Sequence, residues 1–302
     1  MAVIQSGAHP KALWPGVKAW FGMKYNEHPL ECMDLFDWES SSMAYEEDVE
    51  ATSFGLAPIK AQGAGLVFDS HSQGGISRYT HVAYALGYIV TKEEIGDNLY
   101  QDRSFKRSEA LAFSMRQTRE NVAANVFNRV DTAGYTGGDG IVLCATTHPD
   151  AVGGTQSNLL TAADFSEIAL EDMLVQIAGA ANSRGLKISL IGQKLIVPRQ
   201  TMFEAARVLR SVQQSGTANN DINAVRSMGM LPGGFVVNHY LTDTDAWFVR
   251  TNAPRGMIGY NRTPVEFDTD NDFDTKNARA SAYERYSVGW TDWRGLYASK
   301  GV

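Results

Sequence analysis

The residues of this chain best suited by type and spacing to chemistry fall in three stretches. In Asp268-Thr-Asp270-Asn-Asp272-Phe-Asp274, carboxylates stand at positions 1, 3 and 5, as they do at the start of a calcium loop. Such a loop also needs glycine at position 6 and glutamate at position 12, and those positions hold Phe273 and Arg279. A solvated acidic turn between strands is therefore expected. Cys144 and His148, four apart, suit two metal ligands or a thiol with its base. A structural zinc takes four ligands, no second pair follows at matching spacing, and Cys144 reads as a small buried hydrophobe. Gly134, Gly137, Gly138 and Gly140 resemble a phosphate loop in composition alone, since no Gly-Lys-Ser/Thr follows and the run leaves a helix instead of entering one. His9, His28, His71, His81 and His239 each stand alone. No catalytic, metal or cofactor site is assigned. A metal-dependent hydrolase built on Cys144, His148 and the Asp268–Asp274 run stays open as the alternative from the enzyme class.

Composition narrows the classes further. The chain has 302 residues and a formal net charge of −7, which argues against a protein that grips nucleic acid through a basic face. At 44% hydrophobic and 20% charged it can bury a sizeable core. No window approaches the roughly 18 apolar residues of a membrane helix, and the first residues lack the pattern of an export signal. Two cysteines make no disulfide framework, and a reducing compartment suits them. The fold class expected is α+β.

The elements that must carry these residues follow from periodicity. Residues 1–45 hold Trp14, Trp20, Phe21, Met23, Tyr25, Leu35, Phe36 and Trp38 with no sustained period. They read as an arm that needs cover, either from its own domain or from a neighbouring chain. Over 46–90, two β-rich runs flank a Gly/Ser/His-rich tip and predict a long hairpin. Tyr79 to Val90 reads as one strand, with Val82, Tyr84, Leu86, Tyr88 and Val90 on one parity. Because a lone hairpin is marginal in water, it must lean on something. Residues 100–133 predict a long amphipathic helix with Leu111, Met115, Thr118, Val122, Val126 and Val130 on one stripe, and with Arg116, Arg119 and Glu120 on the other faces. Thr161-x-x-Asp164 predicts the cap of a second helix, and Thr201-x-x-Glu204 that of a third. Strands are expected at 187–191, 194–197, 234–237, 247–250, 265–267 and 278–290.

Motifs within these elements carry a resemblance. Asp139-Gly-Ile-Val-Leu-Cys-Ala-Thr-Thr-His148-Pro149 is followed by Gly153-Gly-Thr-Gln-Ser-Asn158-Leu159. Lys194 to Pro198, Tyr240 to Trp247, and Tyr286 through Trp293-Arg-Gly-Leu-Tyr297 come after them in order. Together they resemble the major capsid (head) proteins of tailed bacteriophages, the Mu-like branch in particular, over roughly residues 90 to 302. The resemblance implies a Hong Kong 97-type shell fold. Residues 1–45 would be the N-terminal arm and 46–90 the extended hairpin loop. Residues 91–160 with 255–302 would form the peripheral domain, its spine helix at about 100–133, and 161–254 the axial domain.

It further implies a non-enzymatic subunit that self-assembles as hexamers and pentamers into an icosahedral head shell in the virion, built in the host bacterial cytoplasm. The implied partners are other copies of the chain, portal and scaffolding proteins, a decoration protein, and packaged double-stranded DNA bound without sequence specificity, with no membrane. Another phage structural protein, a decoration or tail-tube subunit, is the nearer alternative, although three helices count against a tube. Expected assembly contacts are Trp14, Trp20, Phe21, Phe54, Leu56, Lys60, Phe68 and Arg78. Lys60, the only lysine in 46–90, is the one residue there able to crosslink as some relatives do. No cleaved scaffolding segment is expected within the chain. With 6 basic and 4 acidic residues in 101–133, part of that spine is expected to face the lumen and to tolerate DNA weakly.

Overall fold

The computed structural model describes residues 14–27, 29–96, 100–214, 221–272 and 274–302. In chain order the first elements are α1 (Trp14–Glu27), β1 (Asp37–Ser40), β2 (Tyr45–Ala51), β3 (Gln73–Thr80), β4 (Val82–Val90), α2 (Lys92–Gly96) and α3 (Tyr100–Asn128). Then come β5 (His148–Pro149), β6 (Thr155–Gln156), α4 (Glu167–Ala178), β7 (Gly192–Pro198), α5 (Met202–Arg210) and α6 (Ala224–Met228). The last are β8 (Phe235–Asn238), β9 (Trp247–Thr251), β10 (Met257–Asn271), β11 (Ala278–Trp290) and β12 (Leu296–Ser299). No helix among the described residues is long and apolar enough to cross a membrane.

Two four-stranded sheets organise the chain, in the orders β1-β10-β11-β4 and β12-β9-β7-β8. The frame of the first is the antiparallel hairpin β10–β11, running from Met257 opposite Trp290 to Asn271 opposite Ala278. Its register shifts between Thr263 and Glu266, where Pro264 has no N–H to give a ladder. Ala278, Ala280, Ala282 and Tyr286 turn one parity of β11 to the core, as alternation predicts. On that face lie α3 and α1, sharing a cluster with Val90 and Phe267. The second sheet buries Leu195, Val197, Trp247 and Val249 against α4, α5 and α6. Its other face, with Ile196 and Phe248, meets Phe127, Leu143 and Phe36.

Several expectations are corrected. The first 45 residues contain a helix, not only irregular chain: Val17, Phe21 and Tyr25 recur every four residues and are all buried. Pro15 sits in the first turn, where its missing N–H costs nothing, and it helped to disguise the pattern. Residues 1–13 lie outside the described set. The run 79–90 is two strands, not one. The chain breaks at His81, whose ring bridges Ser287 Oγ (2.9 Å) and Ser41 Oγ (3.0 Å). β3 then pairs with β2, and β4 with β11. Burial, reinforced by Arg285, pushes the His81 imidazole below its usual range.

Within β4, Tyr84 and Tyr88 pack on the core, whereas Val82 and Leu86 remain about half exposed. α4 is capped by Ser166, whose side chain accepts from Ala169 N, and not by Thr161. α5 lies where expected, but the Thr201 side chain does not cap it. Residues 187–191 form one isolated bridge, Ala181 with Lys187, and no strand. The Lys187 ammonium instead reaches Gly179 O at the end of α4, a favourable place for a cation.

The long helix ends at Asn128, and three of its charged side chains are not on its outer faces, although Asn121 is. Arg116, Arg119 and Glu120 are buried. Arg119 Nη2 donates to Asn261 Oδ1 at 2.6 Å, its Nη1 lies 3.6 Å from Glu284 Oε2, and its guanidinium stacks over Trp38 and Tyr286. Tyr25 Oη donates to the same Glu284 carboxylate. Glu120 accepts from Cys32 N at 3.0 Å. Buried charges must be paired or hydrogen-bonded, and these pairs fasten α3 to β10, β11 and the turn before β1, and α1 to β11.

Phe21 lies 4.8 Å, centroid to centroid, from Phe267 and is 2% exposed. Phe21→Ala should cost about 3–5 kcal/mol of unfolding free energy. Urea denaturation measures this directly, and a cost under about 1 kcal/mol would show that α1 is no part of the core.

Candidate assembly surfaces

The hairpin β2–β3 has two regimes, a fastened base and an uncovered tip. At the base, Tyr79 packs edge to face on Tyr260 at 5.1 Å, and its hydroxyl shares a 2.6 Å hydrogen bond with Thr291 Oγ1. Arg255 grips Asp48 through Nε (2.8 Å) and Nη2 (2.7 Å), the bidentate geometry that makes arginine–carboxylate pairs strong. Gly75 lies so near Gly138 that a Cβ on it would stand 2.3 Å from Gly138 O. Only glycines allow that approach. The glycine run around residue 138 therefore receives the hairpin backbone.

Beyond Thr52 the apolar support ends, and every residue from 53 to 73 is exposed. Ties within the tip are local: Thr52 N to Ser72 O (2.9 Å), Gly55 N to Asp69 Oδ2 (2.8 Å), and Phe54 edge-on to His71 at 5.6 Å. The backbone N–H groups of Gly55 and Ser70 hold the Asp69 carboxyl below its usual range. Arg184 reaches Ser70 O and Asp69 from outside the hairpin. Leu56, Ile59 and Phe68 are 82%, 101% and 89% exposed, joined by Phe54, Leu66 and Val67. Large exposed apolar patches are characteristic of interaction surfaces.

The expected contact residues divide accordingly. Phe54, Leu56, Lys60 and Phe68 gather on the exposed tip. Arg78, on the exposed edge of β3, lies over the Tyr45 ring at 3.8 Å with Glu47 beside it. Phe21 is buried in its own chain. Trp20 is partly buried under the Lys24 ammonium. The side chain of Trp14 lies outside the described residues.

The residues first weighed for chemistry serve the fold. His148 is fully buried and stacks on Trp293 at 4.2 Å. Its Nδ1 is 2.6 Å from Asp139 Oδ2 and its Nε2 3.1 Å from Asn158 Oδ1. Asn158 donates to the carbonyls of Leu143, Trp293 and Leu296 and accepts from Ala145 N. This knot ties 139–158 to the last strand. Burial pushes the Cys144 thiol up, and that of Cys32 up to about 12. Cys144 packs in the cluster that holds Met257. Asp268 lies eleven residues along β10 from Met257, roughly 35 Å of extended strand at about 3.3 Å per residue. The cysteine–histidine pair and the aspartate run therefore belong to different parts of the molecule. Asp272 holds its own turn, accepting from Asp274 N and Thr275 Oγ1 and pairing with Arg279. Of the basic residues of 101–133, Arg116 and Arg119 are buried and Arg107 pairs with Glu94, which leaves less free charge on α3 than its composition suggests.

A family model described as a phage capsid protein matches residues 76–299, about three quarters of the chain. No curated protein matches it. Among solved structures, the chain is similar to the virus-like particle from Pyrococcus furiosus, at 10% identity and a TM-score of 0.51, covering 95% of this chain and 98% of that one. It is similar to the procapsid of bacteriophage JBD30, at 14% identity and 0.53, over 99% and 77%. It is also similar to the encapsulin complex of Synechococcus elongatus PCC 7942, at 9% and 0.54, over 92% and 89%. At such identities the likeness is one of fold, the Hong Kong 97-type shell fold expected from the motifs.

Glu50, at the hairpin base, faces Arg294, Asp292 and Asp139. Burial first, then the two aspartates, raise its carboxyl above the usual range, with Arg294 opposing. A raised carboxyl stabilises the fold while protonated. That contribution is complete below the ordinary carboxylate value and is lost as pH rises through the raised one. Glu50→Gln should therefore leave Tm unchanged near pH 4 and raise it relative to the parent at pH 7. A Tm difference that does not change with pH would contradict this electrostatic picture.

Proposed function

This chain belongs to the phage capsid protein family, and on that premise we propose that its copies join as hexamers and pentamers into an icosahedral head shell around packaged double-stranded DNA. It is a structural, shell-forming subunit of the virion capsid, and the order of its motifs supports the Mu-like branch. The observation that carries the proposal is the hairpin, rigid where it leaves the body and apolar where nothing in its own chain covers it. Fully burying a large apolar side chain contributes about 1.5–3 kcal/mol, so the six at the tip offer on the order of 10 kcal/mol before the cost of ordering and association. Contacts that place different patches of identical subunits together close into rings when the rotation fits, and a projecting loop can then reach across to the next ring or neighbour.

The parts are assigned as expected from the motifs, with the arm at 1–45, the extended loop at 46–90, the peripheral domain at 91–160 with 255–302, and the axial domain at 161–254. Portal, scaffolding and decoration proteins are the further partners of such a shell, assembled in the host cytoplasm. A net charge of −7 suits a wall that must not trap the genome through phosphate contacts.

The test leaves the base intact. Because Tyr79 and Gly75 lock β3 to the body, only the tip is altered, by Phe54→Ser, Leu56→Ser and Phe68→Ser together. The triple variant should keep the Tm of the parent within a few degrees, since all three side chains are exposed, and should fail to form closed particles in electron microscopy. Normal particles from the variant would contradict the role given to the loop.

A further inference from the structure

Among the helices over the second sheet, α4 and α5 present outer faces that are unlike each other and unpaired. At the β12 edge, the segment entering α4 runs along the strand: Leu160 N donates to Ala298 O (2.9 Å), and Ser299 Oγ donates to Ala163 O (2.9 Å). The exposed stripe of α4 is Ile168, Asp172 and Val175, spaced four and three residues apart, with Ile168 67% and Val175 72% exposed. Neither Asp172 nor its neighbour Glu171 has an ion-pair partner among the described residues. Beside this stripe opens a groove of about 790 Å³, floored by Leu159, Leu160, Ala163 and Ile168 and bordered by Asp172.

At the opposite edge, α5 packs on β8, with the Arg210 guanidinium 5.3 Å from the Phe235 ring. Its exposed stripe is Phe203, Arg207 and Arg210, spaced four and three residues apart, with Phe203 67% exposed. Arg226 of α6 adds charge on the same side, its Nη1 on Arg210 O at 2.6 Å. These three arginines likewise lack a carboxylate partner among the described residues.

We propose that these two faces meet between copies: the Phe203–Arg207–Arg210 face of α5 in one subunit docks on the Ile168–Asp172–Val175 face of α4 in the next. The occupant of each face is a second copy of this chain. The inference rests on the shell reading and names the contact that closes its rings. The two faces complement each other in apolar surface and in charge. An aromatic side chain one turn before an arginine faces an apolar groove one turn before an aspartate, so Phe203 fills the groove as Arg207 reaches Asp172. Aromatic and arginine residues are the usual anchors of interfaces. The two faces sit on different helices of the subunit and differ in sign, so the contact is head to tail and repeats around a ring instead of pairing two subunits face to face.

Charge reversal on the full chain tests it. Asp172→Arg and Arg207→Asp, each alone, should lower the population of ring-sized oligomers in sedimentation by about tenfold or more, with unchanged circular dichroism. The double reversal should restore them. As a second arm, Asp172→Cys and Arg207→Cys combined in one chain should give an oxidation-dependent ladder of crosslinked oligomers, while either alone gives none. Cys32 and Cys144 are buried and do not compete. Full-sized rings and shells from both single reversals, or crosslinking by Asp172→Cys alone, would overturn this contact and leave the shell reading standing. If the unsubstituted chain forms no rings or shells at all, the shell reading fails and takes this contact with it.

Discussion

A chain that completes its own core yet holds a row of large apolar side chains out in water has to find cover elsewhere, and that mismatch governs this molecule. The core is not short of material. Trp247, Tyr286, Tyr297, Phe127 and Leu195 are sealed inside, and Arg119, paired with Glu284 and bonded to Asn261, knits α3 to the long hairpin. The tip of β2–β3 is exposed, while the strands that carry it are locked at the base by Arg255–Asp48, Tyr79 and the Gly75–Gly138 approach. Stiff at one end and apolar at the other, the loop suits the role proposed for it, that of being covered by another copy.

The same division explains where the polar residues went. Buried hydrogen-bonded networks specify one arrangement of the backbone when every member is satisfied. Asp139, His148 and Asn158 form such a network with the backbone of 293–296, and Arg294 adds bonds to Ala181 O and Asp292. Residues that could have been ligands or catalysts in another setting act here as clamps between distant parts of the chain. A shell wall that must hold its shape benefits from a body that does not deform as its edges are joined.

How much of this the sequence displayed depends on the kind of signal. Simple alternation placed β11 at 278–290 to the residue, and the helical period placed α3 and α5. The motif at 139–158 pointed to the family, although its residues turn out to clamp the fold. The sequence hid α1 because Pro15 and two glycines interrupt a buried row of only three residues. It hid the break at His81 because both flanking strands share a β pattern, and only their partners differ. Most of all it misplaced Arg116, Arg119 and Glu120. Charged side chains read as surface until their partners, Glu284, Asn261 and the Cys32 amide, arrive from far along the chain. The loop reads as a Gly/Ser/His-rich tip between two β-rich runs, and the lack of internal cover for its apolar side chains is a property of the fold alone.

Hydrogen–deuterium exchange of residues 52–72, compared between assembled particles and subunits dissociated from them, tests the central claim most directly. The account predicts rapid exchange in the free subunit and strong protection in the particle, with the clamped base at 45–50 and 74–80 protected in both. Equal exchange of the tip in the two states would mean that copies do not cover it, and the explanation offered for its exposed side chains would be wrong.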